Sequence, residues 1–174
     1  MILQIPFYSQ YDDIMDESWR SKACVVTCLK MALDFLSADV PPIDDLIQEG
    51  VSINGYTPYG WSHDAIVFLA HNHGVPAYKE EFRSANSAFQ KNMEQIGLQR
   101  IITTIVQKRP VIASVTKPND SYHAVLIVGF EGEEARPTNI IYHDPDTKNG
   151  SSAFQKVSLL DFLEKWRKLA IFLG

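Results

Sequence analysis

Hydrophobic residues in the first part of the chain recur mainly at helical spacing. An apolar stripe that follows Ser21, a candidate N-cap, predicts a helix reaching to about Leu36, and its members are Val25, Leu29, Ala32, Leu33 and Leu36. Further helices are predicted over residues 43–48, over residues 64–72 before a stop at Gly74, and over residues 85–108 with a break near Gly97. The N-terminal half is therefore predicted to be mainly helical.

The pattern changes after Pro110, where runs of β-branched residues replace the helical stripes. These runs predict strands over residues 111–115, 124–128 and 140–142. Near the end, Ser158 is expected to cap a helix that carries Leu159, Phe162, Leu163 and Trp166, and an apolar strand is expected over residues 170–173. A helical half followed by strands with short connections favours an α+β fold with a mostly antiparallel sheet over alternating βαβ units.

Length and charge narrow the class of protein. A chain of 174 residues with 45% hydrophobic content lies in the range of roughly 100–200 residues expected for one domain, so we expect a single domain over residues 1–174. The net charge is −5 and Lys and Arg form no cluster, which argues against nucleic acid as a partner. No apolar run approaches the ~20 residues that span a bilayer, so membrane insertion is not expected.

The start of the chain and its cysteines bear on the compartment. The opening MILQIPFYSQ lacks the charged and apolar regions of a signal peptide. Cys24 and Cys28 are too few and too close together for a framework of disulfides, so two free thiols are expected. We expect a soluble protein that is cytoplasmic if the chain is complete; a secreted protein with a trimmed signal peptide would have the same pattern. The oligomeric state stays open.

Cys24 lies in the first turn of the first predicted helix. The unpaired N–H groups and the positive dipole end of a helix favour a thiolate there, which would make Cys24 a nucleophile. Cys28 lies one turn further on, beside the apolar stripe, and is predicted to be packed. Free cysteine is also among the most commonly buried residues, so on this feature alone a merely structural Cys24 stays an alternative.

His123 and Asp144 stand at the ends of two predicted strands joined by a polar loop over residues 131–138. An antiparallel hairpin centred near Glu133 and Glu134 would place His123 directly opposite Asp144. A carboxylate could then accept a hydrogen bond from the imidazole, as a catalytic base requires. A core histidine and an aspartate that only ends a strand remain the alternatives.

The order of these residues resembles that of the C39-like peptidases, a branch of the papain-like fold. The opening segment 5–10, ending in Ser9-Gln10, resembles the family's VP-x-x-SQ pattern. The helix from Cys24 resembles its CGPTSLAM segment. Later segments also match, namely the strand over residues 109–113, the HAVVVVGY-like run over residues 123–130, and the DP motif at Asp144. The resemblance spans nearly the whole chain.

The resemblance implies a cysteine peptidase that acts on a peptide or protein and needs no cofactor. It implies that Cys24 attacks a carbonyl, His123 moves the proton, Asp144 orients the imidazole, and Gln10 donates to the oxyanion beside the Cys24 backbone N–H. Gln4 is a neighbouring competitor for the last role.

One departure from the family keeps other functions open. The family usually has glycine directly after its cysteine, whereas this chain has Val25. An inactive peptide-binding module therefore stays open. An acyltransferase or amidase of the same fold stays open as well, because the sequence does not separate it from a hydrolase.

Two further groups of residues have a structural and a functional interpretation. A zinc site is not expected from three histidines whose spacing places them on different faces, namely His63, His71 and His73. His143 alternates to the side of its strand opposite Asp144, so it is the weaker base candidate, although it could line the cleft.

Four aromatic residues form either core caps or substrate subsites: Trp19, Tyr56, Tyr59 and Trp61.

Overall fold

The structure, a computed structural model, describes residues 1–37, 40–119 and 121–174. The helices are α1 (Cys24–Leu36), α2 (Ile43–Ser52), α3 (His63–Asn72), α4 (Ser87–Val106) and α5 (Leu159–Lys165). The strands are β1 (Tyr56–Thr57), β2 (Gly60–Trp61), β3 (Ala77–Glu81), β4 (Val111–Thr116), β5 (Tyr122–Glu133), β6 (Arg136–His143), β7 (Gln155–Ser158) and β8 (Trp166–Leu173).

The central feature is a six-stranded sheet with the order β3-β8-β4-β5-β6-β7, in which all neighbours are antiparallel. Strands β1 and β2 form a separate small hairpin. Helix α1 packs on β4 and β5, and α3 packs on β3 and β8. Helix α4 contacts β4, β5 and β8, and α5 contacts β6 and β7. The α+β architecture with an antiparallel sheet is thus confirmed. The domain boundaries, residues 1–174, stay a prediction.

Helix α1 begins at Cys24, and the predicted N-cap at Ser21 is wrong. The cap is Ala23, which provides no side-chain hydrogen bond. The chain forms a turn just before the helix, where Lys22 N–H donates to Trp19 O (2.9 Å) and Trp61 Nε1–H donates to Lys22 O (2.9 Å). This turn prevents an earlier start of the helix and makes Cys24 its first residue.

Helix α4 runs unbroken through Gly97, so the predicted break is also wrong. A Cβ atom at this position would lie 2.5 Å from Phe82 Cγ and 2.6 Å from Trp166 Cη2. Glycine here permits the close approach of two aromatic rings to the helix. In the next region Ser158 accepts from Asp161 N–H and caps α5 as predicted, but Trp166 begins β8 instead of continuing the helix.

The β5–β6 register differs from the predicted one. Glu133 pairs with Arg136, so the turn is centred one residue later than expected, and His143 pairs with Leu126. Two irregularities, between Glu131 and Gly132 and between Ile127 and Gly129, shift the pairing in opposite directions and cancel. His123 is therefore not directly opposite Asp144, which lies just beyond the end of β6. Strand β5 pairs His123 with Val115 of β4 instead.

The buried residues form a hydrophobic core that draws on both the helices and the sheet, from Leu3 in the N-terminal segment to Leu173 in β8. The N-terminal segment contacts β5 through the Leu3 N–H, which donates to Val128 O (2.8 Å). Among the helices that the structure describes, none combines the length and apolar character required to cross a membrane.

Candidate active site

A cleft lies between the start of α1, the β1–β2 hairpin, the start of α3 and the sheet. Cys24 and Val25 line it from α1, and His123 and Ala124 line it from β5. Cys24 is partly exposed, whereas the Val25 side chain is largely packed. The cleft therefore gives a ligand access to the first thiol of the chain at the start of a helix.

His123 lies between the thiol and a carboxylate. Its Nε2 is 2.7 Å from Asp144 Oδ1, and only 4% of the imidazole side chain is exposed. Because Asp144 occupies Nε2, the other ring nitrogen, Nδ1, is available to Cys24, with which His123 is also hydrogen-bonded. One imidazole thus connects the sulfur to the carboxylate.

This arrangement shifts the pKa of both reactive groups. Burial alone would raise the pKa of Cys24, but the hydrogen bond and charge of His123, with the backbone N–H groups of Ala124 and Val25, outweigh it and lower that pKa. Burial would lower the pKa of His123, but the hydrogen bonds and charges of Asp144 and Cys24 raise it to about 9. Relative to an isolated thiol and imidazole, each group therefore favours the charged form of the other, a thiolate next to an imidazolium.

The Asp144 carboxylate is itself held in place. Its Oδ1 also accepts from the Asp146 N–H (2.9 Å), and the Asp144 N–H donates to Ser152 O (3.1 Å). Asp146 forms an ion pair with Lys117, from the segment that follows β4. These contacts restrain a carboxylate whose side chain is 28% exposed, so the orientation of the imidazole is fixed by a network of partners.

Gln10 lies beside the loop that carries Asp144. Its backbone N–H donates to Pro145 O (2.8 Å), and the residue is only 3% exposed. Among the described residues, the side-chain oxygen of Gln10 is buried without a hydrogen-bond partner. Such an atom is costly in a folded protein and is frequently explained by function. Gln4, the competing glutamine, is exposed.

Cys28 and His143 have structural roles. Cys28 is fully buried with its Sγ 3.6 Å from Ala124 O, and burial raises its pKa well above the ordinary value. His143 is also buried; its Nδ1 accepts from the Phe154 N–H (3.0 Å), so Nε2 carries the proton and donates to Ile5 O (3.0 Å). His143 therefore packs in the core, and the expectation that it could line the cleft is wrong.

Both expected roles, core packing and cleft lining, are represented among the four aromatic residues. Trp19, Tyr56 and Trp61 pack against one another with ring centroids 5.0–5.7 Å apart. Tyr56 and Trp61 also line the cleft, as does Tyr59, which is 97% exposed at the tip of the β1–β2 hairpin. The cluster braces the turn before α1 and gives the cleft an aromatic wall.

The three histidines in and beside α3 have different surroundings. His63 lines the cleft, His71 contacts the backbone of Ala77, and His73 pairs with Glu49. In the part of the chain that the structure describes, no group of His, Cys, Asp and Glu side chains converges as a metal site would require.

Sequence reasoning missed three residues that line the cleft opposite α1: Ser114, Tyr122 and Arg167. No sequence motif identifies these three residues. Arg167 in particular reaches the cleft through an irregularity in the β4–β8 pairing that the local sequence does not specify.

An antiparallel sheet packed against a helix that begins with a thiol, facing an imidazole, is the arrangement of a papain-like cysteine peptidase. A model of the Peptidase_C39 like family matches residues 2–170. The chain belongs to this family and is thereby placed among the cysteine peptidases. The family resemblance drawn from the sequence is confirmed.

Solved structures show the same fold. A double glycine motif protease from the AMS/PCAT transporter, crystallised with a leader peptide, is 16% identical over 99% of this chain and 92% of its own, with a TM-score of 0.63. The peptidase domain of Streptococcus ComA, described as a bi-functional ABC transporter of a quorum-sensing pathway, is 18% identical over 88% of this chain and 92% of its own, with a TM-score of 0.61. These likenesses confirm the papain-like fold. None of the curated proteins compared with the chain matches it.

Proposed function

We propose that this protein hydrolyses a peptide or isopeptide bond through a thioester, with Cys24 as nucleophile, His123 as acid and base, Asp144 as the orienting group and Gln10 as an oxyanion donor. One observation carries the proposal: His123 binds the Asp144 carboxylate at 2.7 Å through Nε2, and the same imidazole lowers the pKa of the Cys24 thiol beside it. A nucleophile, a base and an orienting group in this order define nucleophilic catalysis.

The first step forms the acyl-enzyme. The Cys24 thiolate attacks the carbonyl carbon and forms a tetrahedral oxyanion. When this intermediate collapses, the C–N bond breaks and the leaving amine takes the proton of the His123 imidazolium. Asp144 keeps the ring oriented and stabilises its charge throughout. The product of this step is a thioester on Cys24 and a free amine.

The oxyanion needs donors beside the sulfur. At the start of α1 the first backbone N–H groups have no partner within the helix. The Val25 N–H is directed to the sulfur, which leaves the Cys24 N–H for the oxyanion. The buried amide of Gln10 supplies the second donor in the proposal.

The second step returns the enzyme to its starting state. Neutral His123 accepts a proton from water, the hydroxide attacks the thioester, and the carboxylic acid leaves as the sulfur regains its negative charge. The imidazolium and thiolate are then restored. Water is the only co-reactant, so the proposal calls for no cofactor.

The open cleft and its aromatic wall fit an extended peptide. The double glycine motif protease of the same fold was crystallised with a leader peptide, which supports a peptide substrate here. Val25, where the family usually has glycine, lines the cleft beside Cys24 although its side chain is largely packed.

The proposal is tested by trapping the thiol and the acyl-enzyme. The Cys28→Ala protein, which keeps only Cys24, should react with iodoacetamide with a midpoint below about 8.5, the ordinary pKa of a thiol. Fluorogenic peptides should be cleaved, with mass spectrometry detecting an acyl adduct on the peptide containing Cys24. Ordinary thiol reactivity together with no cleavage would point instead to a binding module.

Replacing Gln10 with alanine should lower kcat by about 10²–10³-fold, because one donor to the oxyanion is lost. The alkylation midpoint of Cys24 should stay unchanged, since Gln10 does not set that pKa in the proposed mechanism. Steady-state kinetics on a fluorogenic peptide measures the first effect. The matched control is Gln4→Ala, at the exposed glutamine of the same segment, which should behave as wild type. Equal activity of the two variants would remove Gln10 from the mechanism.

A further inference from the structure

We propose that the cleft contains a carboxylate-binding subsite formed by Arg167 and Ser114, so that the enzyme selects substrates with a carboxylate next to the cleaved bond. The carboxylate belongs either to an Asp or Glu side chain or to a free C-terminus of the substrate. The selection of substrates rests on the proposed hydrolytic function, whereas binding of the carboxylate does not.

A β-bulge directs Arg167 into the cleft. In the β4–β8 pairing, Ala113 pairs with Ala170 and Val115 pairs with Trp166, so the segment 167–169 opposes Ser114 alone. Lys168, in the middle of the bulge, has a φ of 60°, a conformation that non-glycine residues rarely adopt. Bulges of this kind redirect side chains and are frequent next to active sites.

The bulge is anchored on its other side. Lys168 Nζ forms an ion pair with Glu94 (2.9 Å) and also donates to Trp166 O (3.0 Å). The strained residue is therefore held by a helix of the core as well as by its own strand. Such support keeps a redirected neighbour in one position, which a selective binding group requires.

The guanidinium of Arg167 is held in position, but not all of its N–H groups have a hydrogen-bond partner within the described residues. Its Nη1 donates to Ser114 Oγ (3.1 Å), and its Cζ lies 3.4 Å from the centroid of the Tyr122 ring. The Tyr122 ring covers one side of the guanidinium and its hydroxyl is also hydrogen-bonded to it, which leaves the remaining N–H groups to bind a ligand. Since Ser114 Oγ accepts from Arg167, its hydroxyl proton is available to a ligand.

Arg167 lacks a carboxylate partner within the described residues. The charge of Glu81 acts on it through space, but none of the ion pairs in the described ranges includes Arg167. A half-buried guanidinium in this state favours a planar anion, and a carboxylate accepts two parallel N–H bonds from it.

The charge of the cleft agrees with this ligand. The chain as a whole carries a net charge of −5, yet the described residues that line the cleft include the cations Arg167 and Lys22 and no Asp or Glu. A positive cleft in an acidic protein attracts acidic ligands and repels basic ones.

The subsite lies next to the reacting groups. Ser114 pairs with Ala124 in the β4–β5 ladder, and Tyr122 and Ala124 flank His123 along β5. A substrate carbonyl at Cys24 therefore has its neighbouring residues close to Arg167. This places the selected carboxylate beside the cleaved bond.

The test uses quenched fluorogenic hexapeptide libraries in matched pairs. Each pair carries Glu or Gln at one defined position, and each is made with a free or an amidated C-terminus. Wild type should cleave a Glu pool, or a free-acid pool, about 10–100-fold faster in kcat/KM than its neutral partner, as expected for loss of a charge-assisted hydrogen bond. The pool that shows the preference identifies the source of the carboxylate.

Variants then assign the preference to Arg167. Arg167→Met should abolish it while the alkylation rate of Cys24 stays unchanged, Arg167→Lys should keep part of it, and Ser114→Ala should weaken it. The control is Arg100→Met, at an exposed arginine of α4 outside the cleft. Wild type without a carboxylate preference, or Arg167→Met with the full preference, would overturn the subsite.

Binding separates failure of the subsite from failure of the proposed chemistry. The Cys24→Ala protein is titrated with the same peptides by fluorescence anisotropy. If wild type cleaves nothing but this protein prefers the acidic peptides through Arg167, the subsite stands and the hydrolytic function falls. If peptides are cleaved without a carboxylate preference, the hydrolytic function stands and the subsite falls. If the peptides are neither cleaved nor bound with a carboxylate preference, the subsite falls as well.

Discussion

Replacing Cys24 with alanine is expected to lower peptide hydrolysis by a factor on the order of 10⁴ or more, because no other thiol can take its place. Cys28 is buried, and burial raises its pKa well above the ordinary value, so it remains a thiol at neutral pH. The measurement is kcat/KM on a fluorogenic peptide, with active-site titration to correct for inactive protein.

The matched control is Cys28→Ala, which removes a sulfur one helical turn away. Its melting temperature should fall slightly, since a small buried side chain is lost, while kcat/KM stays within about threefold of wild type. Activity that persists in Cys24→Ala, or that disappears in a correctly folded Cys28→Ala protein, would reverse the assignment of the nucleophile.

Replacing His123 with alanine should reduce kcat by about 10³–10⁴-fold and also change the pH dependence of the thiol. Without the imidazole, desolvation dominates the environment of Cys24, so its pKa should rise from below to above the ordinary value. The alkylation midpoint should therefore move to higher pH. In wild type, hydrolysis should decline above a pH of about 9, where His123 loses its proton and can no longer protonate the leaving amine.

Both measurements are made on proteins that keep Cys24 as the only thiol, through Cys28→Ala. His73→Ala serves as control, because this histidine pairs with Glu49 and does not line the cleft. An alkylation midpoint in His123→Ala that matches wild type would mean that the helix start, and not the imidazole, activates the sulfur.

The sequence predicts the interior of this fold better than its edges. Strands β4 and β5 contain buried apolar runs, and β6 contains a shorter one over residues 140–142, so their existence follows from burial on the sheet. Strands β3 and β7 lie at the two sheet edges, are largely exposed, and carry Lys, Glu and Gln. Their sequences therefore contain no apolar signal, and only pairing with the neighbouring strand defines them.

The residues of the proposed site could be predicted from the sequence, but the strand pairing that brings them together could not. The expected pairing of His123 with Asp144 depends on a register that is wrong, because the turn is centred one residue later than expected. The contact forms because Asp144 lies beyond the strand end, where the Asp146 N–H and the Ser152 carbonyl hold its loop. The position of Arg167 in the cleft was not predictable, since it depends on a bulge between β4 and β8, two strands that are far apart in the sequence.

The position of His123, far downstream of Cys24 in the sequence, has a consequence for biosynthesis. The sulfur owes its enhanced acidity to a ring that emerges from the ribosome much later, on a strand whose neighbours must assemble first. A nascent or misfolded chain therefore carries an ordinary, sluggish thiol in place of a reactive one. In the proposed mechanism folding therefore activates Cys24, because the pKa of its thiol falls only once His123 is in place.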